Sequence, residues 1–485
     1  MKVLFVYSTH DVYTSAKPLT SLQDIHLGIS YLSSALKLDG CSTSLVVLCS
    51  RNLKHSKRLI EHRMKEFVPD VVAITAVSTQ YPFVMAMAEE IKKICPEAFT
   101  LIGGAHASLC PDEVIQGPFD AICVGEGEAA IRELIQMLKD GESSNPPAGM
   151  IVKQQDGSIA RTSPRCFEQG ISILPAPDRE MWEEWLKPGT ISGQTILLGR
   201  GCPYGCTYCS NHAFRKLAEG PYVRFRETED ILSELRQLKN QYPSTRDVYL
   251  QSETILLDKD WLYELCKGLE RFTQEECSDV TFTCNYRVNK KDLEEDIFKA
   301  LRSANIKTIE IGLESGCERV RREVLNRDYA NDDFLGAVRL ARNQGIKINV
   351  YNMVGLPTET MAEHMETVEV NRLVSPQRSF TSIFYPYPGT KLYDRCREDG
   401  SISQKFTGLN ELERRKAVLN SNVFPARAVL KAYILFDWRI YKGNRPLMFR
   451  LRKTLRNMIA TSDLGSSLFY RLLPCWHFIK GCFSS

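Results

Sequence analysis

Three thiols crowd into the segment Gly201-Cys202-Pro203-Tyr204-Gly205-Cys206-Thr207-Tyr208-Cys209, in a C-x-x-x-C-x-x-C array directly after the strand-like run Thr195–Gly199. Thiolates at this spacing bind soft metals, and their number is informative. Structural zinc is closed by four protein ligands, and a simple electron-transfer cluster by four cysteines. Three thiolates on a cuboidal iron–sulfur cluster leave one iron free to bind something else. Half a zinc knuckle is the competing reading, but no fourth ligand follows at finger-like spacing: His212 comes three residues on and reads as loop.

Length and composition bound what surrounds that loop. A chain of 485 residues is too long for one ordinary core, so two or three domains are expected. Hydrophobic content of 43% and charged content of 25% are those of a soluble globular protein. A net charge of +3 is too near neutral to advertise nucleic acid as a partner. The 16 cysteines are scattered singly, and the opening Met-Lys-Val-Leu-Phe-Val-Tyr reads as a buried strand rather than a signal peptide, which implies a reducing, cytoplasmic compartment. No apolar run approaches the roughly 20 residues needed to cross a bilayer.

Two βα series must position the chemistry. Over residues 1–140, β-branched runs near 3–7, 44–48, 71–76, 100–102 and 121–124 alternate with helical patterns near 28–38, 54–67, 82–94 and 129–139, with a short one near 111–115. That alternation predicts a doubly wound, Rossmann-like α/β sheet, which binds ligands beyond the carboxyl ends of its strands. Two such ends are glycine-rich, in Leu101-Ile-Gly-Gly-Ala-His106 and in Val124-Gly-Glu-Gly-Glu128. Glycine lets a flat ligand or another backbone come close. Residues 141–194 read as a linker holding a hairpin at Asp156-Gly157.

From Thr195 to about residue 400, further strands near 247–251, 280–284, 308–312, 346–353 and 380–385 predict a partial, TIM-like (β/α)6 barrel. Side chains at the carboxyl ends of barrel strands reach its mouth. Those ends carry Ser252 and Glu253, Arg287, Glu314, and the segment Gly355-Leu-Pro-Thr-Glu359. A guanidinium fork such as that of Arg287 suits a carboxylate. Tyr385 and Tyr387 line a substrate pocket or belong to the core.

The cysteine loop, with the aromatic Tyr208 before its last cysteine, resembles that of the radical S-adenosylmethionine (radical SAM) superfamily. In that family the open iron of a 4Fe–4S cluster chelates S-adenosylmethionine, and an electron from the cluster cleaves the sulfonium to a 5′-deoxyadenosyl radical. The resemblance implies that Cys202, Cys206 and Cys209 hold the cluster and that Glu253, beside Ser252, accepts from the methionine ammonium. It further implies that Arg287 meets the carboxylate, that Glu314 of Gly312-Leu-Glu-Ser-Gly316 takes the ribose hydroxyls, and that Gly355 packs on adenine. The Gly-Gly-x-His and Gly-Glu-Gly-Glu segments resemble a cobalamin-binding domain that precedes the radical SAM domain in one subfamily. There Gly103, Gly104, His106, Gly125 and Glu126 would line the face that receives cobalamin's nucleotide tail. Domains that ligate cobalt through histidine carry D-x-H-x-x-G, whereas Asp24, His26 and Gly28 are one residue short of it. His26 is therefore not expected on cobalt, and Asp24 is expected as the N-cap of the next helix.

The reaction so implied is methylation of an unactivated carbon of a small molecule, with a flavodoxin or ferredoxin as electron donor. A radical rearrangement, cyclisation or oxidation with the same cofactors is the alternative, and a sensor without turnover is a third. Residues 401–485 read as a small helical region, with helices over 411–420 and 426–441. Its basic end carries Arg445, Arg450, Arg452, Lys453, Arg456 and Arg471 against Asp463, interleaved with Phe449, Leu451, Leu455, Ile459, Leu468 and Phe469. That pattern fits a cap over the substrate, a peripheral membrane contact or a solvated helical face. Cys475 and Cys482 lack the spacing of a second cluster.

Overall fold

The computed structural model describes residues 1–9, 17–141, 146–154, 156–167, 170–187, 192–402 and 414–461. They form two compact units, the first holding the residues up to 187 with 210–225, the second holding 192–209, 226–402 and 414–461. Leu468, Phe469, Arg471, Asp463, Cys475 and Cys482 lie outside the described residues.

The first unit is built on seven strands, β1 (Lys2–Thr9), β2 (Ser42–Cys49), β3 (Val71–Thr75), β4 (Phe99–Gly103), β5 (Ala121–Cys123), β6 (Met150–Lys153) and β7 (Ile159–Arg161), in the order β2-β1-β3-β4-β5-β6-β7. The first five run parallel. Parallel strands covered on both faces need unbroken apolar runs, and Val3, Leu4, Phe5 and Val6 and then Val71, Val72, Ala73 and Ile74 supply them, all buried. The intervening helices are α1 (Leu27–Leu38), α2 (Leu53–Phe67), α3 (Tyr81–Ile94), α4 (Ala105–Leu109), α5 (Pro111–Val114) and α6 (Glu128–Asp140). Strand order reverses between β1 and β3, the kind of point where such sheets take ligands. The hairpin expected in a linker instead extends this sheet. β6 pairs antiparallel with β5 and β7 with β6, which covers the edge that β5 would otherwise expose.

The second unit carries β8 (Gly193–Leu197), β9 (Asp247–Gln251), β10 (Thr281–Tyr286), β11 (Ile306–Glu314), β12 (Lys347–Val354) and β13 (Arg378–Ile383). All are parallel and adjacent in chain order, the arrangement of a partial (β/α)6 barrel. The connecting helices are α7 (Thr228–Gln241), α8 (Lys259–Arg271), α9 (Glu295–Ser303), α10 (Asn331–Asn343) and α11 (Met361–Val374). They face the sheet with apolar stripes such as Leu262, Leu265, Cys266 and Leu269 of α8.

The last part departs from its sequence pattern. Residues 414–420 are not helical, and 411–413 lie outside the described residues. Leu419 forms an antiparallel bridge with Ile402, and both pack on the cluster of Leu325, Phe384 and Leu392, so tertiary burial overrides the helical propensity. The single helix read over 426–441 is two, α13 (Ala426–Ile434) and α14 (Phe436–Ile440), after α12 (Lys391–Glu398) and before α15 (Leu447–Ala460). On α15 Phe449 packs edge-on against Tyr441, while Leu451 and Leu455 are exposed. No helix among the described residues is long and apolar enough to cross a membrane.

Candidate functional site

The cysteine loop leaves β8 through Gly201, whose φ of +88° disfavours any L side chain. Its conformation is set by the turn at 324–326. The Thr207 N–H donates to Leu325 O at 3.2 Å, its hydroxyl to Val324 O at 2.5 Å, and Asn326 Nδ2 to Gly205 O at 2.9 Å. Cys206 is buried, and Cys202 and Cys209 are half-buried. Burial pushes the Cys202 thiol up to about 11, so ligation requires a metal able to displace its proton. Three thiols on one loop, with Arg287 donating to the middle one, are a donor set that fits three irons of a 4Fe–4S cluster.

Arg287 follows β10 and reaches back to the loop. Its Nη1 donates to Cys206 Sγ at 3.0 Å, and its guanidinium lies 3.9 Å from the centre of the Tyr204 ring. Ser252, at the end of β9, is buried with its Oγ unpartnered, while its carbonyl accepts from Asn285 Nδ2 at 3.0 Å. An orphaned hydroxyl at a strand end suits a polar ligand such as the amino-acid end of S-adenosylmethionine. Glu253 beside it is exposed.

Glu314 ends β11 with φ +63°, a conformation rare for its type. Tyr208 donates to its Oε1 at 3.1 Å, and Arg327 Nη1 donates both to that oxygen at 3.0 Å and to the Tyr208 hydroxyl at 2.9 Å. Burial pushes the Glu314 carboxyl up, against the pull of Arg327. Gly312 makes room for this group, because a Cβ there would stand 2.3 Å from Glu314 Oε1. The structure brings together Glu314 and Tyr208, both named from the sequence, with Arg327, which the sequence reading did not name. Nor did that reading name the fully buried Arg321, whose Nη1 donates to Ser315 O at 2.7 Å and whose Nη2 donates to Tyr329 O at 2.9 Å.

Gly355 has φ +77°, and a Cβ on it would meet Val429 Cγ1 at 2.7 Å, so close packing of α13 explains this glycine. Its N–H and that of Leu356 donate to Glu359 Oε2 at 2.7 and 3.1 Å. Burial pushes the Glu359 carboxyl up to about 8. Tyr385 is buried, and Tyr387 accepts from Arg414 Nε at 2.8 Å.

In the first unit, a Cβ on Gly104 would stand 2.5 Å from Thr75 Oγ1 and 3.0 Å from Ala76 O. Gly125, at φ +88°, has nothing within 4 Å of a Cβ, and its N–H donates to Ser108 Oγ at 3.0 Å. A Cβ on Gly103 would stand 3.7 Å from Cys123 Cβ, in ordinary contact, so among these glycines Gly125 is the one whose Cβ position faces open space. Glu126 pairs with the buried Arg224, whose Nη1 lies 3.0 Å from Glu126 Oε2. His106 is only 1% exposed, and its Nδ1 lies 3.1 Å from Ser78 Oγ. The expectation for Asp24 is corrected: α1 begins at Leu27, and His26 is its N-cap, with Nδ1 accepting the Ile29 N–H at 3.2 Å. Asp24 lies one short turn earlier and accepts from Thr20 Oγ1 at 2.7 Å.

Comparison with known proteins agrees with both units. Residues 196–370 match the radical SAM superfamily, and residues 20–135 match the B12 binding domain. An uncharacterized methyltransferase of Pyrococcus horikoshii is 24% identical over 447 residues, covering 90% of this chain and 93% of its own. An anaerobic magnesium-protoporphyrin IX monomethyl ester cyclase of Cereibacter sphaeroides is 23% identical over 85% of this chain and 68% of its own. Among solved structures, the radical S-adenosylmethionine methyltransferase TsrM of Kitasatospora setae, with cobalamin and a [4Fe–4S] cluster bound, superimposes with a TM-score of 0.65 at 18% identity, over 82% of this chain and 75% of that one. The chain thus carries a B12 binding domain followed by a radical SAM domain, the two domains whose cofactors are cobalamin and, together, a 4Fe–4S cluster with S-adenosylmethionine.

Proposed function

We propose that the chain methylates an unactivated carbon of a small molecule. The observation that carries this reading is the joint presence of a loop offering three thiolates and a B12-binding unit in one chain. When bound, the cluster with S-adenosylmethionine supplies a carbon-centred radical and cobalamin supplies a methyl group. The chain's own residues hold and orient. Cys202, Cys206 and Cys209 ligate the cluster. Ser252 and Glu253 meet the methionine ammonium, and the donors of Arg287 not on Cys206 meet its carboxylate. Glu314, its Oε1 fixed by Tyr208 and Arg327, presents its second oxygen to the ribose. The segment at Gly355 packs on adenine through its backbone. Gly103, Gly104, Gly125 and Glu126 border the cobalamin tail.

Reduction requires a small electron carrier of the flavodoxin or ferredoxin kind. Exposed Leu451, Leu455 and Met458 beside Arg452 and Arg456 suit contact with an anionic membrane surface, which co-sedimentation with anionic vesicles tests. The likeness to a cyclase supports a second reading, ring formation with the same cofactors and no methyl transfer. Anaerobic turnover in a small-molecule extract, with S-adenosylhomocysteine and 5′-deoxyadenosine both quantified, separates the two. Equal, substrate-dependent formation of both supports methylation, and 5′-deoxyadenosine alone supports cyclisation.

A further inference from the structure

Immediately after β4, the chain makes two short helical turns, α4 and α5, and puts three metal-ligating side chains on one side of them. His106, Cys110 and Glu113 are spaced four and three residues apart, and backbone bonds from Cys110 N–H to His106 O and from Val114 N–H to Cys110 O keep the turns in register. The ligating atoms of the three side chains all lie within 4.8 Å of one another. His106 Nε2 is 3.8 Å from Glu113 Oε2, near the ligand-to-ligand separation around a tetrahedral ion with bonds of about 2.0–2.3 Å.

A second observation points to a ligand. The His106 side chain is 99% buried and its Nε2 has no hydrogen-bond partner, although it is aimed at Cys110 and Glu113. Its other nitrogen is accounted for, with Nδ1 at 3.1 Å from Ser78 Oγ and the ring centred 4.3 Å from that of Tyr81. With the proton on Nδ1 directed at Ser78, Nε2 is left as a bare lone pair facing a thiol and a carboxylate. Metal-bound histidines are held in this manner, one nitrogen donating to a fixed acceptor and the other free to ligate.

We propose that His106 Nε2, Cys110 Sγ and the Glu113 carboxylate form a site for a zinc-class divalent cation, separate from the cluster cysteines and from the cobalamin-binding function. One imidazole, one thiolate and one carboxylate match zinc in softness, and water takes the fourth position. Binding displaces the Cys110 thiol proton to solvent, and no electron moves. The ion joins the turn that follows Gly103-Gly104 to the next helical turn and stiffens the carboxyl end of β4. Glu113 is half exposed, which gives the ion a way in from solvent.

The test is equilibrium dialysis of the cluster-loaded, full-length chain against buffered zinc, with iron and zinc counted together by mass spectrometry. Iron content reports that the cluster loop is intact in every variant. The parent chain takes up about one zinc per chain, whereas Cys110→Ser and Glu113→Gln lose about tenfold or more in affinity and keep their iron. Ser78→Ala, which removes only the partner of Nδ1, weakens zinc by about 10–100-fold. Glu113→Gln alters an exposed side chain and so reads the site even if another variant folds poorly. Zinc uptake equal in the parent and in Cys110→Ser and Glu113→Gln, or no zinc on an iron-replete parent, overturns the proposal.

Discussion

The Arg287 guanidinium donates from Nη1 to Cys206 Sγ at 3.0 Å while lying 3.9 Å over the Tyr204 ring. The stack fixes the plane of the fork, so the donor meets the sulfur without searching for it. A positive donor on a ligand sulfur favours the reduced, more negative cluster. Arg287→Gln should lower the cluster's reduction potential by on the order of 60 mV, about tenfold in a one-electron equilibrium. Arg287→Lys, which keeps charge but loses the stacked plane, should fall between. Potentiometric titration followed by electron paramagnetic resonance reads both, and an unchanged potential in Arg287→Gln would show that the bond does not act on the cluster.

Arg327 and Glu314 form a buried pair that also holds Tyr208, so removing the guanidinium and removing the phenol hydroxyl should not be equivalent. Arg327→Met leaves the Glu314 charge without its partner and should destabilise the second unit by about 3–5 kcal/mol. Tyr208→Phe removes two hydrogen bonds, the one donated to Glu314 and the one accepted from Arg327, and should cost about 2 kcal/mol. Denaturant unfolding of the two variants measures the difference. Similar losses would mean that Arg327 does not carry the compensation.

The glycines of the first unit divide by what a side chain would meet. Gly104→Ala drives a methyl into Thr75 and the Ala76 backbone and should prevent stable folding of that unit. Gly125→Ala meets open space, so it should cost only the backbone strain of a positive φ, about 1–3 kcal/mol, and still weaken retention of cobalamin. Thermal melts with cobalamin content measured on the same samples test the division. Full cobalamin retention in Gly125→Ala would remove this turn from the cobalamin face.

Glu359 carries a pH signature. Its folded-state value, pushed up to about 8 by burial, lies above the unfolded value of about 4.3, so its contribution to stability is fully present below the unfolded value and is lost as pH rises through the folded one. Unfolding midpoints should therefore fall between about pH 5 and about pH 8 in the parent and fall less in Glu359→Gln, which keeps an acceptor for the Gly355 and Leu356 N–H groups. Parallel slopes in the two proteins would contradict the assignment.

How much of this was legible from sequence depends on the range of the interaction. The cysteine loop and the strand-end positions of Ser252, Arg287 and Glu314 follow from local spacing and the βα alternation. Arg327 does not, because its partner Tyr208 is 119 residues away and nothing in either segment encodes the pairing. The N-cap of α1 was misplaced from His26 to Asp24 because capping depends on where the helix starts, which periodicity fixes only to within a few residues. The absence of helix at 414–420 reflects Leu419 packing on Leu325, Phe384 and Leu392, a burial that a single segment cannot announce. Gly355 reads as an adenine-packing glycine in sequence, and the contact that a Cβ there would make with Val429, 74 residues on, is not legible from its own segment.

The methyl-transfer reading is tested most directly with S-adenosylmethionine carrying three deuterons on its methyl group. The cluster- and cobalamin-loaded chain, reduced by a flavodoxin system, is incubated anaerobically with a small-molecule extract, and the products are screened by mass. A substrate converted to a product bearing the intact labelled methyl group, absent with the Cys202→Ala variant, is the predicted result. A converted product without label, formed alongside abundant 5′-deoxyadenosine, would contradict methylation and leave the cyclisation reading in its place.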